Sequence, residues 1–118
     1  MRKVFLLSLA IIFIDQLTKL FFKNKNIELS RFLSFNYTEN TGAAFGILKN
    51  QNLFLVIISI LVIALIIYYM NKVSEKEKLA LAFIFTGTFG NLIDRILHGF
   101  VVDFIDFHFW PVFNIADA

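Results

Sequence analysis

The chain has 118 residues, of which 58% are hydrophobic and 16 are phenylalanine, and its mean hydropathy is +0.75. Such a chain has too few polar side chains to cover a water-soluble globule, so its expected solvent is lipid. A net charge of +2 is too weak and scattered for a nucleic-acid surface, and the lack of cysteine excludes disulfides, thiolate nucleophiles, iron–sulfur clusters and thiolate zinc sites.

The first apolar stretch covers approximately residues 4–22, beginning "VFLLSLAIIFI" and continuing into "DQLTK". Arg2 and Lys3 ahead of an apolar run resemble a secretory signal. However, "DQLTK" stands where a small-residue cleavage site belongs, which favours an uncleaved membrane helix. Asp15 and Lys19 are spaced i, i+4 on one helix face, with Gln16 beside them. An ionisable residue inside a span costs about 2.5–3.5 kcal/mol on insertion scales. Two readings of the pair are open: a self-neutralising support, or direct contact with a substrate.

In the loop that follows, Leu33, Phe35 and Tyr37 alternate with Ser34, Asn36 and Thr38. That period of two marks a half-buried strand, within a β-rich segment at approximately 24–50. The second span, approximately 53–70, reads "LFLVIISILVIALIIYYM", with Ser59 as its lone polar side chain apart from the tyrosines. At 1.5 Å per residue it is about 27 Å long, close to the hydrocarbon thickness, and Tyr68 and Tyr69 fall where an interfacial aromatic belt would be. The third span, approximately 79–96, is rich in small and hydroxyl residues, as expected of a helix packed inside a bundle. It ends in Asn91, Asp94 and Arg95, with Asn91 and Arg95 on a common face. This is either a solvated helix end or a fork of donors for carbonyls and carboxylates. Then "FVVDFIDFHF" is β-prone until Pro111 limits it, in a β-rich segment at approximately 98–112. The residues therefore predict one membrane domain over 1–118: a helical bundle with a small sheet resting on its outer face. Basic residues are densest in the shorter segments, at Arg2, Lys3 and the "NKVSEKEK" link, which favours an internal amino terminus.

Asp103 and Asp117 are the strongest candidates for chemistry. Each is flanked by bulky apolar residues, so desolvation should raise both pKa values. If the fold joins them, one carboxyl holds a proton while the other accepts one from water, which suits metal-free peptide hydrolysis. Asp106 is a third candidate, but it lies too close in sequence to Asp103 for the two to converge from different elements. His98 and His108 lack a metal-binding spacing and read as surface or interfacial residues. Ser8, Ser30, Ser34, Ser59 and Ser74 have no histidine nearby in sequence, and no zinc-protease, nucleophile-elbow or phosphate-loop motif is present. Two classes remain open on residues alone: an intramembrane aspartyl hydrolase, and a small transporter or ion-pathway subunit with acids along its route.

Motif order separates them. "DQLTK" (15–19), "NTGAAFG" (40–46), "GNLIDR" (90–95), "VVDFIDF" (101–107) and "FNIAD" (113–117) occur in sequence around the apolar spans. The chain thereby resembles the lipoprotein signal peptidase family, also called signal peptidase II. The resemblance implies an all-α integral membrane helical bundle, four helices in the family, with a small extracytoplasmic β-cradle. It implies an aspartyl endopeptidase of the bacterial cytoplasmic (inner) membrane, amino terminus cytoplasmic and active site near the outer face. The implied substrate is a diacylglyceryl-modified prolipoprotein cut before the lipidated cysteine. No metal or organic cofactor is implied, and cyclic peptides such as globomycin are expected to inhibit. Carried onto this sequence, Asp103 and Asp117 match the catalytic dyad, and Asn91 and Arg95 match residues that hold substrate backbone. Asn114 matches the asparagine beside the second aspartate and is expected to share in fixing the peptide. Asn40 and Gly42 match the segment near the substrate, and Asp15 with Lys19 match the supporting pair. The chain departs from the family where "TGTFGN" puts Thr86 and Thr88 in place of smaller residues, a packing change that helix hydroxyls tolerate. It also ends at Ala118, where the family continues into serine and a fourth membrane helix. The expectation is that these 118 residues alone lack what completes the bundle, with a non-catalytic membrane subunit or inactive homologue that binds lipoprotein signal peptides as the alternative.

Overall fold

A chain that must satisfy its backbone without water does so within helices, and three segments here take that course. In the computed structural model, which describes residues 2–118, they are α1 (Arg2–Phe22), α2 (Asn52–Met70) and α3 (Glu75–His98). All three are long and apolar enough to cross a membrane. The buried residues of α1 are Ser8, Asp15 and Lys19, whereas its Phe13 and Leu20 are 67% and 69% exposed. This inverts the pattern of a soluble helix. The polar stripe faces protein and the apolar face is left for lipid.

Helix α3 packs against both α1 and α2. It starts at a capping box, ahead of the apolar run that marks it in sequence: Ser74 Oγ accepts from Glu77 N, and Ser74 N donates to Glu77 Oε2 at 2.7 Å. It stops at Gly99, whose φ of +81° is a left-handed cap open to glycine. Thr86 and Thr88 turn their hydroxyls onto the helix backbone, donating to Ala82 O at 2.6 Å and Ile84 O at 2.8 Å. Neither hydroxyl is left without a partner in the apolar surroundings.

Beyond one end of the helices lies an antiparallel sheet in the order β1 (Asn26–Ser30), β2 (Leu33–Asn40), β3 (Val101–Asp106). The strand expected from the alternation at 33–38 is β2, and the one expected in "FVVDFIDFHF" is β3. Phe22 of α1 stacks on Phe104 with centroids 4.7 Å apart and meets Phe35 at 4.5 Å. This aromatic cluster fixes the sheet to the helices. Between β2 and β3 the register runs Phe35↔Ile105 and then Thr38↔Asp103, so β2 carries an extra residue there. The bulge re-aims the following part of β2, where Thr38 stands opposite Asp103 and Asn40 opposite Val101, and the Asn40 side chain reaches Asp103 from there. Fold class therefore agrees with the reading from sequence in its apolar helices and added small sheet.

Candidate active site

Asp103 sits in β3 and is 3% exposed. A second segment is brought to it by backbone pairing. Phe113 N donates to Ile105 O at 3.1 Å, while Phe113 O accepts from Ile105 N at 2.8 Å. The next residue, Asn114, is fully buried. It opens a tight turn in which Asp117 N donates to Asn114 Oδ1 at 3.0 Å and Asn114 N donates to Asp117 Oδ2 at 3.3 Å. The turn directs Asp117 towards Asp103, and both line one cavity of about 670 Å³.

Asparagines knit the two carboxylates together. Asn114 Nδ2 donates to Asp103 Oδ1 at 2.7 Å, to Val102 O at 3.2 Å and to Asn91 Oδ1 at 3.0 Å. Asn91 Nδ2 donates to Asp117 Oδ1 at 2.8 Å. From the bulged side, Asn40 Nδ2 donates to Asp103 Oδ2 at 3.1 Å, and its Oδ1 accepts from Gly42 N at 2.9 Å. A Cβ at Gly42 would strike the Ile47 carbonyl oxygen, so the turn closes only around glycine. Arg95 Nη2 donates to Gly42 O at 3.2 Å. Arg95 and Asn91 line the same cavity together with Phe45 and Trp110, whose rings meet edge-on at 5.8 Å at its rim.

Burial raises the Asp103 pKa from 3.8 to about 7; the Asp117 charge adds to the rise, and the Asn40 and Asn114 hydrogen bonds oppose it. The sequence predicts two desolvated carboxylates, but Asp117 is exposed. Asp106 lies apart: Asn36 Nδ2 and His108 N donate to it, and its pKa is lowered, chiefly by the His108 bond. Among the serines, one expectation changes. Ser34 Oγ and His108 Nε2 are 2.9 Å apart, a pairing invisible in sequence. Yet Ser34 is buried and His108 Nδ1 faces the Arg31 carbonyl, so no carboxylate orients the ring as a triad would require.

Asp15 and Lys19 stand behind the cavity. Both are buried, with Lys19 Nζ 2.8 Å from Asp15 Oδ2 and 3.0 Å from Asp94 Oδ2. Neither residue is in the lining of the cavity that holds Asp103 and Asp117. Asn114 is likewise buried, with its side-chain amide bonded to Asp103, Asn91 and Val102 and its Oδ1 accepting from Asp117 N. Asp94, seen in sequence as part of a helix end, is buried rather than solvated. Gly87 and Gly90 were missed. A Cβ at Gly87 would collide with the Ala116 carbonyl oxygen, and one at Gly90 would stand 2.8 Å from Asp15 Oδ2. Their i, i+3 spacing in "TGTFGN" was the available signal, since small residues three apart admit a close neighbour.

Fold and site together define a multi-pass membrane protein with paired carboxyls facing one cleft. The family model described as "Signal peptidase (SPase) II" matches residues 7–118. The chain is 43% identical to the lipoprotein signal peptidase of Clostridium tetani, over 98% of this chain and 83% of that one. It is also 43% identical to that of Caldanaerobacter subterraneus, over 92% and 81%. A solved bacterial membrane enzyme superposes with a TM-score of 0.93 at 33% identity, covering 99% of this chain and 79% of its own. This chain belongs to the signal peptidase II family.

Proposed function

We propose that the protein is a lipoprotein signal peptidase working as an aspartyl endopeptidase, with Asp103 and Asp117 as its catalytic dyad. The observation that carries this reading is the single cavity lined by both carboxyls, one of them with a pKa near that of a group shared between proton states. In the proposed cycle the pair shares one proton, carried at the outset by Asp103. Asp117 takes a proton from water as the water oxygen bonds to the scissile carbonyl carbon, and Asp103 gives its proton to the carbonyl oxygen. In the collapse of the resulting diol, Asp117 passes its proton to the leaving nitrogen, the C–N bond breaks, and Asp103 recovers a hydroxyl proton. Arg95 and the Asn40–Gly42 turn hold the peptide backbone, while Asn91 and Asn114 fix the carboxyls.

The substrate is a diacylglyceryl-modified prolipoprotein, cut before the lipidated cysteine, with its acyl chains remaining in the bilayer. A second cavity of about 500 Å³ supports this. It shares Asn91, Arg95 and Asp117 with the first and continues between Ile58 and Phe83 on the helices, so a polar cleft opens directly onto apolar surface. The setting is the bacterial cytoplasmic membrane, amino terminus inside and sheet at the outer face, and cyclic peptides such as globomycin compete for the cleft.

The test is cleavage of a lipid-modified prolipoprotein by the protein reconstituted in bilayers. Wild type is expected to release the signal peptide, and Asp103→Asn and Asp117→Asn to insert normally but lose at least about a thousandfold in rate. Undiminished cleavage by either variant, or substrate binding by wild type without turnover, overturns the reading.

A further inference from the structure

Lys19 is buried beneath the cleft, and its three N–H donors are fully assigned. Nζ is 2.8 Å from Asp15 Oδ2, 3.0 Å from Asp94 Oδ2 and 3.1 Å from Asn91 Oδ1. Gln16 Nε2 seals the same cluster, donating to Asp15 Oδ2, Asp94 Oδ1 and Gly90 O at 3.0–3.2 Å. One ammonium thus joins two carboxylates from different helices. Each carboxylate has a further oxygen contact, and both of these go to backbone. Asp15 Oδ1 accepts from Ala116 N at 2.9 Å, and Asp94 Oδ2 accepts from Val102 N at 3.0 Å. Ala116 immediately precedes Asp117, and Val102 immediately precedes Asp103.

A network serving only helix association would have no reason to end on these two amides. We propose that Asp94 is a positioning residue of this peptidase, and that the Asp15–Lys19–Asp94 cluster holds both dyad carboxyls in register through the peptide units before them. The inference rests on the dyad reading above. Asp94 sets the β3 side and Asp15 sets the Asp117 turn. Lys19 braces both carboxylates from one ammonium, while each carboxylate holds its own backbone amide. Catalytic geometry is steeply sensitive to shifts of about an ångström, and a charge-assisted bond to a backbone amide in a dry site is among the stiffer tethers available.

Asparagine at position 94 takes the charge out of the tether and cannot satisfy both of its sides. Oδ1 and Oδ2 of Asp94 both accept, so an amide NH2 group must confront either Gln16 or the Lys19–Val102 side. The experiment is amide hydrogen exchange by mass spectrometry on the full chain in lipid nanodiscs, beside cleavage kinetics. Asp94→Asn, and Asp94→Ala as a second variant, are expected to speed exchange in 100–106 about tenfold and leave 113–118 near the wild-type rate. Asp15→Asn should do the reverse, and Lys19→Met should loosen both segments. The Asp94 variants should lose about tenfold to a hundredfold in kcat with KM within about twofold. Unchanged exchange in 100–106, or uniform acceleration across helices and both segments, overturns the proposal. Failure of the dyad reading would be seen separately, as cleavage retained by Asp103→Asn or Asp117→Asn whatever the exchange pattern.

Discussion

At the scale of one residue, Asp103 links stability to pH. Its pKa in the folded protein is raised from 3.8 to about 7, first by burial and then by the Asp117 charge. A group of this kind stabilises the fold fully below its unfolded pKa, and that contribution is lost as pH rises through the folded one. The melting temperature of the wild type should therefore decline between pH 4 and pH 8, and Asp103→Asn, which cannot ionise, should flatten that decline. Thermal unfolding across this range checks it, and an unchanged slope in the variant would assign the effect to other groups. The proposed one-proton dyad makes a matching statement about rate, since cleavage should fall on the alkaline side of about 7. Asp103 and Asp117 stand out as candidates in the sequence because carboxylates among apolar residues are conspicuous, and both line one cavity. The role of Asp94 does not stand out, because its partner is a backbone amide and carries no side-chain signature.

At the scale of elements, α3 acts through what it lacks as well as what it presents. Gly87 and Gly90 leave a trough in which the Ala116 backbone lies, and a Cβ at Gly90 would also stand 3.2 Å from the Ala116 Cβ. Gly90→Ala should push the turn bearing Asp117 outward and weaken the Ala116–Asp15 bond. We expect kcat to drop by about tenfold or more while the helices still insert. Steady-state kinetics on the reconstituted variant decides this, and wild-type kcat would mean the turn yields freely. Strands β2 and β3 were legible from alternation and β-prone composition. β1 lies within the β-rich segment expected at approximately 24–50 but did not stand out as a strand of its own: Ile27 and Leu29 alternate with Asn26, Glu28 and Ser30, a run of only five residues, all exposed. The bulge in β2 was equally hidden, since register is a property of two strands read together.

At the scale of the molecule, solvent decides the arrangement. Polar residues gather between the helices while phenylalanine and leucine face outward, and the sheet extends past one end. Trp110 is the only tryptophan and lies at the cleft rim, 55% exposed, so it reports where that rim meets the bilayer. Lipids brominated near the headgroup should quench its fluorescence more than lipids brominated near the chain end. Quenching by neither would set the sheet clear of the membrane. The apolar spans announced the bilayer from sequence alone. That the polar remainder would converge on one cleft followed only from motif order, because no local pattern encodes convergence.

The asparagine lattice around the two aspartates has a consequence for resistance to any compound aimed at the proposed cleft. Asn40, Asn91 and Asn114 each bond to more than one partner, and Arg95 also braces the Gly42 turn. A mutation that removes an inhibitor's polar contact would therefore also disturb the alignment of the carboxyls. Escape is left chiefly to the rim, where Phe45 and Trp110 touch each other. A compound anchored on the polar floor, rather than on these two rings, leaves the bacterium few substitutions that spare its own enzyme.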